Sequence, residues 1–286
     1  MMDGLPSVHA SRRGASNRRL KLSLLLLVLC CGTTAFAVEP ARLVLIIDDL
    51  GNNYPLSQRA IELPGSLTVA ILPQLANTAR LAKNAHATGK EIILHAPMSS
   101  LHDTPLGPGA MTSTMSHEQL IAVLRDDIAS VPFVSGVNNH MGSALTADAD
   151  AMLSVMTELR SQQLYFVDSR THANTVAAER ARELSLPNLE RKVFLDNNTD
   201  EQAIAKQFQR WLQFAKRDGM AVAIGHPYPE TLAFLERQLP LLDSEEYQLI
   251  TPSQLFPHAA WQRAEQAEEA AKASLTPPHH IAAGEL

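Results

Sequence analysis

Cysteine is nearly missing from this chain of 286 residues: Cys30 and Cys31 are its only two, and both fall in a leader-like N-terminal segment. The remainder therefore has no thiol nucleophile, no disulfide and no thiolate metal site. Aromatic residues make up only 5%, so few platforms exist for stacking a sugar ring; Tyr54, Tyr228 and Phe133 are those near strand ends. Neither GxGxxG nor GxxxxGK[ST] follows the first apolar run, which argues against a nucleotide. Positive charge is scarce too. Beyond residue 37 the chain has 19 basic and 29 acidic side chains, a net charge of −10 that disfavours nucleic acid as a partner. Long apolar runs are absent: LSLLLLVL, 22–29, is far short of the about 20 residues that a permanent membrane span requires.

That short run has the setting of an export signal. Arg12, Arg13, Arg18, Arg19 and Lys21 precede it, and Ala35-Phe36-Ala37 follows as a small-x-small cleavage site, giving Val38 as the expected mature N-terminus. An uncleaved anchor is the other reading. Arg18-Arg19 lacks a twin-arginine context, and neither cysteine follows the small residue that a lipoprotein cysteine requires. Residues 1–37 are therefore expected to be a signal peptide and the protein to be exported, to a bacterial periplasm. There a cysteine-free domain of this size has core enough to fold without disulfides.

Short apolar runs alternate with amphipathic stretches through the rest. The expected strands are 43–47, 67–71, 92–94, 133–137, 164–167, 192–195, 220–224 and 247–250. Apolar on both faces, they suit a parallel sheet covered by helices. Helices are expected over 116–131, opening on Ser116 with Gln119 in capping-box spacing; over 146–162, from a Thr146 cap; and over 199–219, from Thr199 with Gln202, ending at Gly219. In the last, Ile204, Phe208, Trp211, Leu212 and Ala215 share one face and read as core. The pattern predicts an α/β fold, a distorted (β/α)7-8 barrel over residues 38–257, with a doubly wound open sheet as the structural alternative. Residues 99–115 read as a long loop, and such loops are often functional. Residues 258–286 read as a short helix and a disordered tail, where His279-His280 is an incidental pair.

Polar residues cluster where the strands end. LVLIIDDLGNN runs from a buried strand straight into Asp48 and Asp49. The second strand is followed by Pro73 and Gln74, the third by His95, and the fourth by Asn138, Asn139 and His140. The fifth leads to Asp168, Ser169 and Arg170, the sixth to Asp196 and Asn197, and the seventh to His226. Each alone has an ordinary explanation; Asp168 and Asp196, for example, could be helix caps. In a β/α barrel, however, strand C-termini converge on one face. Asp49, His95 and His140 would then meet in one ligand sphere, and one carboxylate with two imidazoles suits catalytic zinc with an open position.

IDDLGNN, LHAPM, NNHMGS, YFVDSRT and GHPYPETL, in this order, resemble the divergent polysaccharide deacetylase family, over roughly residues 40–257. That family resembles the larger polysaccharide deacetylase superfamily, whose fold is a distorted (β/α) barrel. The likeness implies Asp48 as catalytic base, Asp49 as metal ligand and His226 as general acid. It departs from the superfamily at the metal histidines, which ordinarily come from one motif, the second His four residues on from the first. Here His95 is followed by Ala96-Pro97-Met98-Ser99 without such a partner, and His102 lies in the loop. The second imidazole is therefore assigned to His140 on the next strand, by geometry.

The resulting expectation is a metal-dependent hydrolase, with zinc as the metal, that deacetylates an N-acetylated cell-envelope polysaccharide. Peptidoglycan is suggested by compartment alone. Asn139 or a backbone N–H would help hold the oxyanion, while Asp168 and Arg170 would orient the site. One rival is a glycoside hydrolase using Asp48 and Asp168. The other is an inactive periplasmic glycan-binding or envelope scaffold protein that keeps only the barrel.

Overall fold

The computed structural model describes residues 39–102 and 104–256. The expected leader and the helix and tail beyond residue 257 lie outside the described residues. The strands are β1 (Ala41–Leu50), β2 (Thr68–Ile71), β3 (Glu91–Met98), β4 (Val134–Met141), β5 (Tyr165–Asp168), β6 (Asn188–Glu190), β7 (Val193–Phe194), β8 (Met220–Gly225) and β9 (Tyr247–Leu249). Between them run the helices α1 (Tyr54–Ile61), α2 (Thr78–Ala87), α3 (His117–Ser130), α4 (Ala149–Ser161), α5 (Ala177–Glu183), α6 (Glu201–Asp218) and α7 (Pro229–Gln238), with α8 (Pro252–Leu255) after β9. Every strand pair is parallel, in the order β6-β5-β4-β3-β2-β1-β8-β7. The sheet is a curled, incompletely closed β/α barrel whose two ends are β6 and β7.

Alternation along the strands sorts side chains to two destinations. Leu43, Leu45 and Ile47 of β1, with Ile92, Leu94 and Ala96 of β3, pack outward in the main core with the helices. Val44 and Ile46, Ile93, Tyr165 and Val167, and Val222 and Ile224 form a second core that fills the barrel. Gly136 is small for a reason: a Cβ there would lie 2.4 Å from the Tyr165 ring that occupies the interior. On α6 the predicted stripe is buried, and the Trp211 indole N–H donates to the Ala221 carbonyl oxygen at 3.0 Å, fastening the helix to β8.

Three local expectations are corrected. YQLI does not complete the barrel wall: β9 pairs only with the start of β1, at Ala41–Leu43, and the three-residue β6 takes a wall position instead. Thr146 is not the α4 cap. Residues Leu145–Ala147 form a 3-10 turn, and Asp148 accepts from the N–H groups of Asp150 and Ala151. Likewise Asp200, not Thr199, caps α6. In both places a carboxylate, the stronger acceptor at a helix N-terminus, sits one or two residues further on. The capping box of Ser116 and Gln119 on α3 and the left-handed Gly219 after α6 form as expected.

One buried acid ties loops together. Asp127 of α3 is fully buried, and its Oδ1 accepts the Gln74 side-chain N–H at 2.6 Å. Its Oδ2 has no partner, and Gly109 packs so close that a Cβ there would stand 2.1 Å from Oδ1. Burial pushes its pKa up to about 7 from the ordinary 3.8. The unfolded chain therefore ionises first, and the folded state loses stability as pH rises from about 4 to about 7, with the full penalty above that. Asp127→Asn is expected to raise stability by about 1–2 kcal/mol at pH 8 and by almost nothing near pH 4. Thermal melts across that range check the sign.

Candidate metal centre

Adjacent residues of a strand normally face opposite ways, so Asp48 and Asp49 could not share a site on a regular β1. The strand is not regular. Its register against β2 shifts between Ile47 and Leu50, and Asp49 has φ 60°. This left-handed conformation is tolerated better by Asp and Asn than by most side chains. The irregularity turns both carboxylates toward the barrel mouth, with Asp48 buried and Asp49 about one-third exposed.

His95 and His140 arrive by ordinary alternation. His95 follows Ile93 on the interior face of β3, and His140 lies two residues beyond Asn138 on β4, with His95 in register with Asn138. The strands are longer than predicted, so both histidines sit within strands rather than after them. Asp49 Oδ1 lies 3.1 Å from His95 Nε2 and 2.9 Å from His140 Nδ1, and the two nitrogens are 3.1 Å apart. Asp49, His95 and His140 are the one such group among the described residues that could hold a metal.

The chemistry of this trio fits a divalent cation. Asp49 Oδ1 is buried and accepts no hydrogen bond despite two ring nitrogens within reach. The rings therefore face it without aiming an N–H at it, as ligands sharing a cation do. His95 Nδ1 lies 2.8 Å from Asn138 Oδ1, which can only accept there, so this nitrogen carries the proton and Nε2 is left with a lone pair. Asn138 donates in turn to Asp48 Oδ1 at 2.8 Å. The asparagine thus fixes the ring tautomer and the carboxylate together, a role not foreseen from sequence.

Electrostatics separates the two carboxylates. Burial would raise Asp49, but the adjoining His140 and His95 rings outweigh it and hold the group well below the ordinary carboxylate range. Burial dominates at Asp48 and raises its pKa against the pull of His95 and His226. For His95 the cost of burial is exceeded by Asp48 and Asp49, and its pKa is raised.

Across the mouth, His226 Nδ1 lies 2.9 Å from Asp196 Oδ1, and the backbone N–H of His226 and the hydroxyl of Thr231 donate to Asp196 Oδ2. Asp196 is thus an anchor for His226 rather than a helix cap. Burial alone would lower His226, but Asp196 overcomes it and, with Asp48 and Asp49, lifts the imidazole to about 9. His226 lines the same 180 Å³ cleft as the metal trio and Asp48.

The supporting residues are placed differently from expectation. Asn139 holds the backbone, donating to the Met141 carbonyl and accepting from the Ser169 N–H. Asp168 accepts from the Arg170 N–H and the Thr175 hydroxyl, while the Arg170 guanidinium reaches Glu190. Arg191, unremarked in the sequence, does more here. Its guanidinium stacks over Phe194 at 3.7 Å and donates to the carbonyls of Ser169 and Arg170. It braces the β5 turn at the open seam of the barrel, and burial lowers its pKa to about 10.

A family model for divergent polysaccharide deacetylases matches residues 45–256, which takes in the whole site. The chain belongs to this family. Relatives within reach of the divergent deacetylase sequence include the uncharacterized protein YibQ of Escherichia coli (strain K12), 35% identical over 71% of this chain and 63% of YibQ. The chain thus aligns with somewhat less than two thirds of YibQ. An uncharacterized protein of Haemophilus influenzae is 33% identical over 78% of this chain and 79% of its own. The crystal structure of the uncharacterized protein ATU2773 from Agrobacterium tumefaciens C58 superposes with TM-score 0.73 at 23% identity, covering 76% of this chain and 90% of that one. This last likeness shows the fold of the divergent deacetylase chain. No helix among the described residues is long and apolar enough to cross a membrane.

Proposed function

We propose that this protein is a metal-dependent amide hydrolase that removes acetyl groups from an N-acetylated polysaccharide of the bacterial cell envelope, after export to the periplasm. One observation carries the reading: an Asp-His-His trio with a buried carboxylate on one side and an imidazole paired with Asp196 on the other, all lining one cleft. Asp49, His95 and His140 would hold the ion, zinc being suited to one carboxylate and two imidazoles. When bound, such an ion supplies Lewis acidity toward water and toward the acyl carbonyl.

The remaining work belongs to this chain's own side chains. Asp48 accepts the proton of the attacking water; its burial and raised pKa make it a stronger base than a solvated aspartate. His226, protonated at neutral pH because of Asp196, delivers a proton to the departing amine. Asn138 keeps Asp48 and His95 in register, and Arg191 steadies the turn behind them. An oxyanion donor would come from a backbone N–H at the mouth or from the remaining N–H of Asn139.

The test is direct. Purified protein should bind one zinc ion by calorimetry, and zinc should switch on the release of free amine from N-acetylated glycans, peptidoglycan included, with chelator reversing it. A protein that takes up zinc yet leaves every N-acetylated glycan intact would instead be a glycan-binding or scaffold protein of the envelope.

A further inference from the structure

A second cavity, of about 250 Å³, adjoins the cleft and shares His140 with it. One wall is Leu72, Pro73 and Leu75, after β2; the other is Pro105, Leu106 and Pro108, from the long loop 99–115. Among the described residues no Asp, Glu, Lys or Arg and no Phe, Tyr or Trp lines it; Asn52 and His140 are its polar side chains. A sugar ring is usually met by a flat aromatic face together with several polar groups. This recess offers branched aliphatic and pyrrolidine surface instead. It is also held open. The prolines fix their own backbone, and Asp127 binds the two walls to one helix through Gln74, between Pro73 and Leu75, and through close packing on Gly109, beside Pro108. An open apolar recess bordering a reactive site is normally occupied in use.

We propose that this cavity binds an aliphatic group, longer than methyl, that the substrate carries next to the scissile bond, with Leu72, Leu75 and Leu106 setting the preference. The inference rests on the hydrolase reading for the position of the scissile amide, while its occupant is argued from the cavity itself. Such a group could belong to the acyl part or to the alcohol part of an N-acylated sugar, and two ligand series tell them apart. The first runs from N-acetyl- through N-butyryl- to N-hexanoylglucosamine. The second comprises methyl, butyl and hexyl glycosides of N-acetylglucosamine. Affinity for zinc-loaded protein is measured by calorimetry and turnover by amine release. Affinity in one series should rise about two- to fourfold per methylene. Leu106→Asp should flatten that rise. Leu75→Asn makes the same comparison should the first variant not fold. Affinities that ignore chain length in both series, or a slope that neither variant changes, overturn the proposal. A steep slope without any turnover retains the cavity's role and removes the hydrolase reading.

Discussion

Zinc affinity is expected to fall more than a hundredfold in Asp49→Asn and to survive in Asp48→Asn, although the two residues are neighbours in the chain. The left-handed backbone at Asp49 admits asparagine without new strain, so the first variant keeps its fold. It loses the charged oxygen that His95 and His140 face. Removing a group that merely orients a ligand already costs about 10–100-fold in metal affinity, so loss of a ligand charge sets a larger expectation. Asp48→Asn can still accept the Asn138 N–H. It should bind zinc normally while amide hydrolysis drops about 10²–10⁴-fold, the usual worth of a general base. Calorimetric zinc titration beside a rate assay separates the two roles. Equal zinc loss in both variants would show that the carboxylates act as one ligand pair, and the division of labour proposed above would be wrong.

Asp196→Asn is expected to move the alkaline edge of activity. In the wild type, His226 stays protonated up to about 9, so a rate that needs it as an acid should hold through neutral pH and fall as pH passes about 9. The asparagine oxygen can still accept from the His226 N–H and from Thr231, but its amide then faces His226 Nδ1 with a donor in place of a charge. The imidazole should return toward its ordinary 6.5 or below, and the variant should lose at least tenfold of its rate at pH 8 while keeping most of it at pH 6. Stability should follow the same linkage. A raised imidazole pKa contributes stability in full below about 6.5, and this is lost as pH rises through about 9; Asp196→Asn should remove that dependence. An unchanged alkaline edge would assign the acid to another group.

The candidate site was largely legible in the sequence because its residues follow apolar runs. A strand that is buried on both faces and then turns polar places those residues at the barrel mouth, whatever their distance along the chain. Asp48, Asp49, His95, His140 and His226 were singled out as candidates in this way, with the roles of Asp48, Asp49 and His226 implied by the family resemblance, and all five line one cleft. What could not be read were partnerships across strands. Asp196 looked like a cap because its partner His226 is 30 residues away. Asn138 looked like one of a polar pair, and Arg191 lies in a short charged stretch between two strands of three and two residues. Strands that brief lack a period to detect, which is also why β6 was passed over and the more apolar YQLI preferred in the barrel wall.

Composition and periodicity by themselves determined the layered β/α class, the absence of cysteine beyond residue 31 and the set of polar residues available at the strand ends. They could do so because burial on both faces of a strand and on one face of a helix is written locally, residue by residue. Only the tertiary structure decided that two consecutive aspartates face the same way, that Asn138 joins His95 to Asp48, and that an aspartate far along the chain pairs with His226. Those outcomes depend on a break in strand register and on contacts between segments remote in sequence, and no local pattern encodes either.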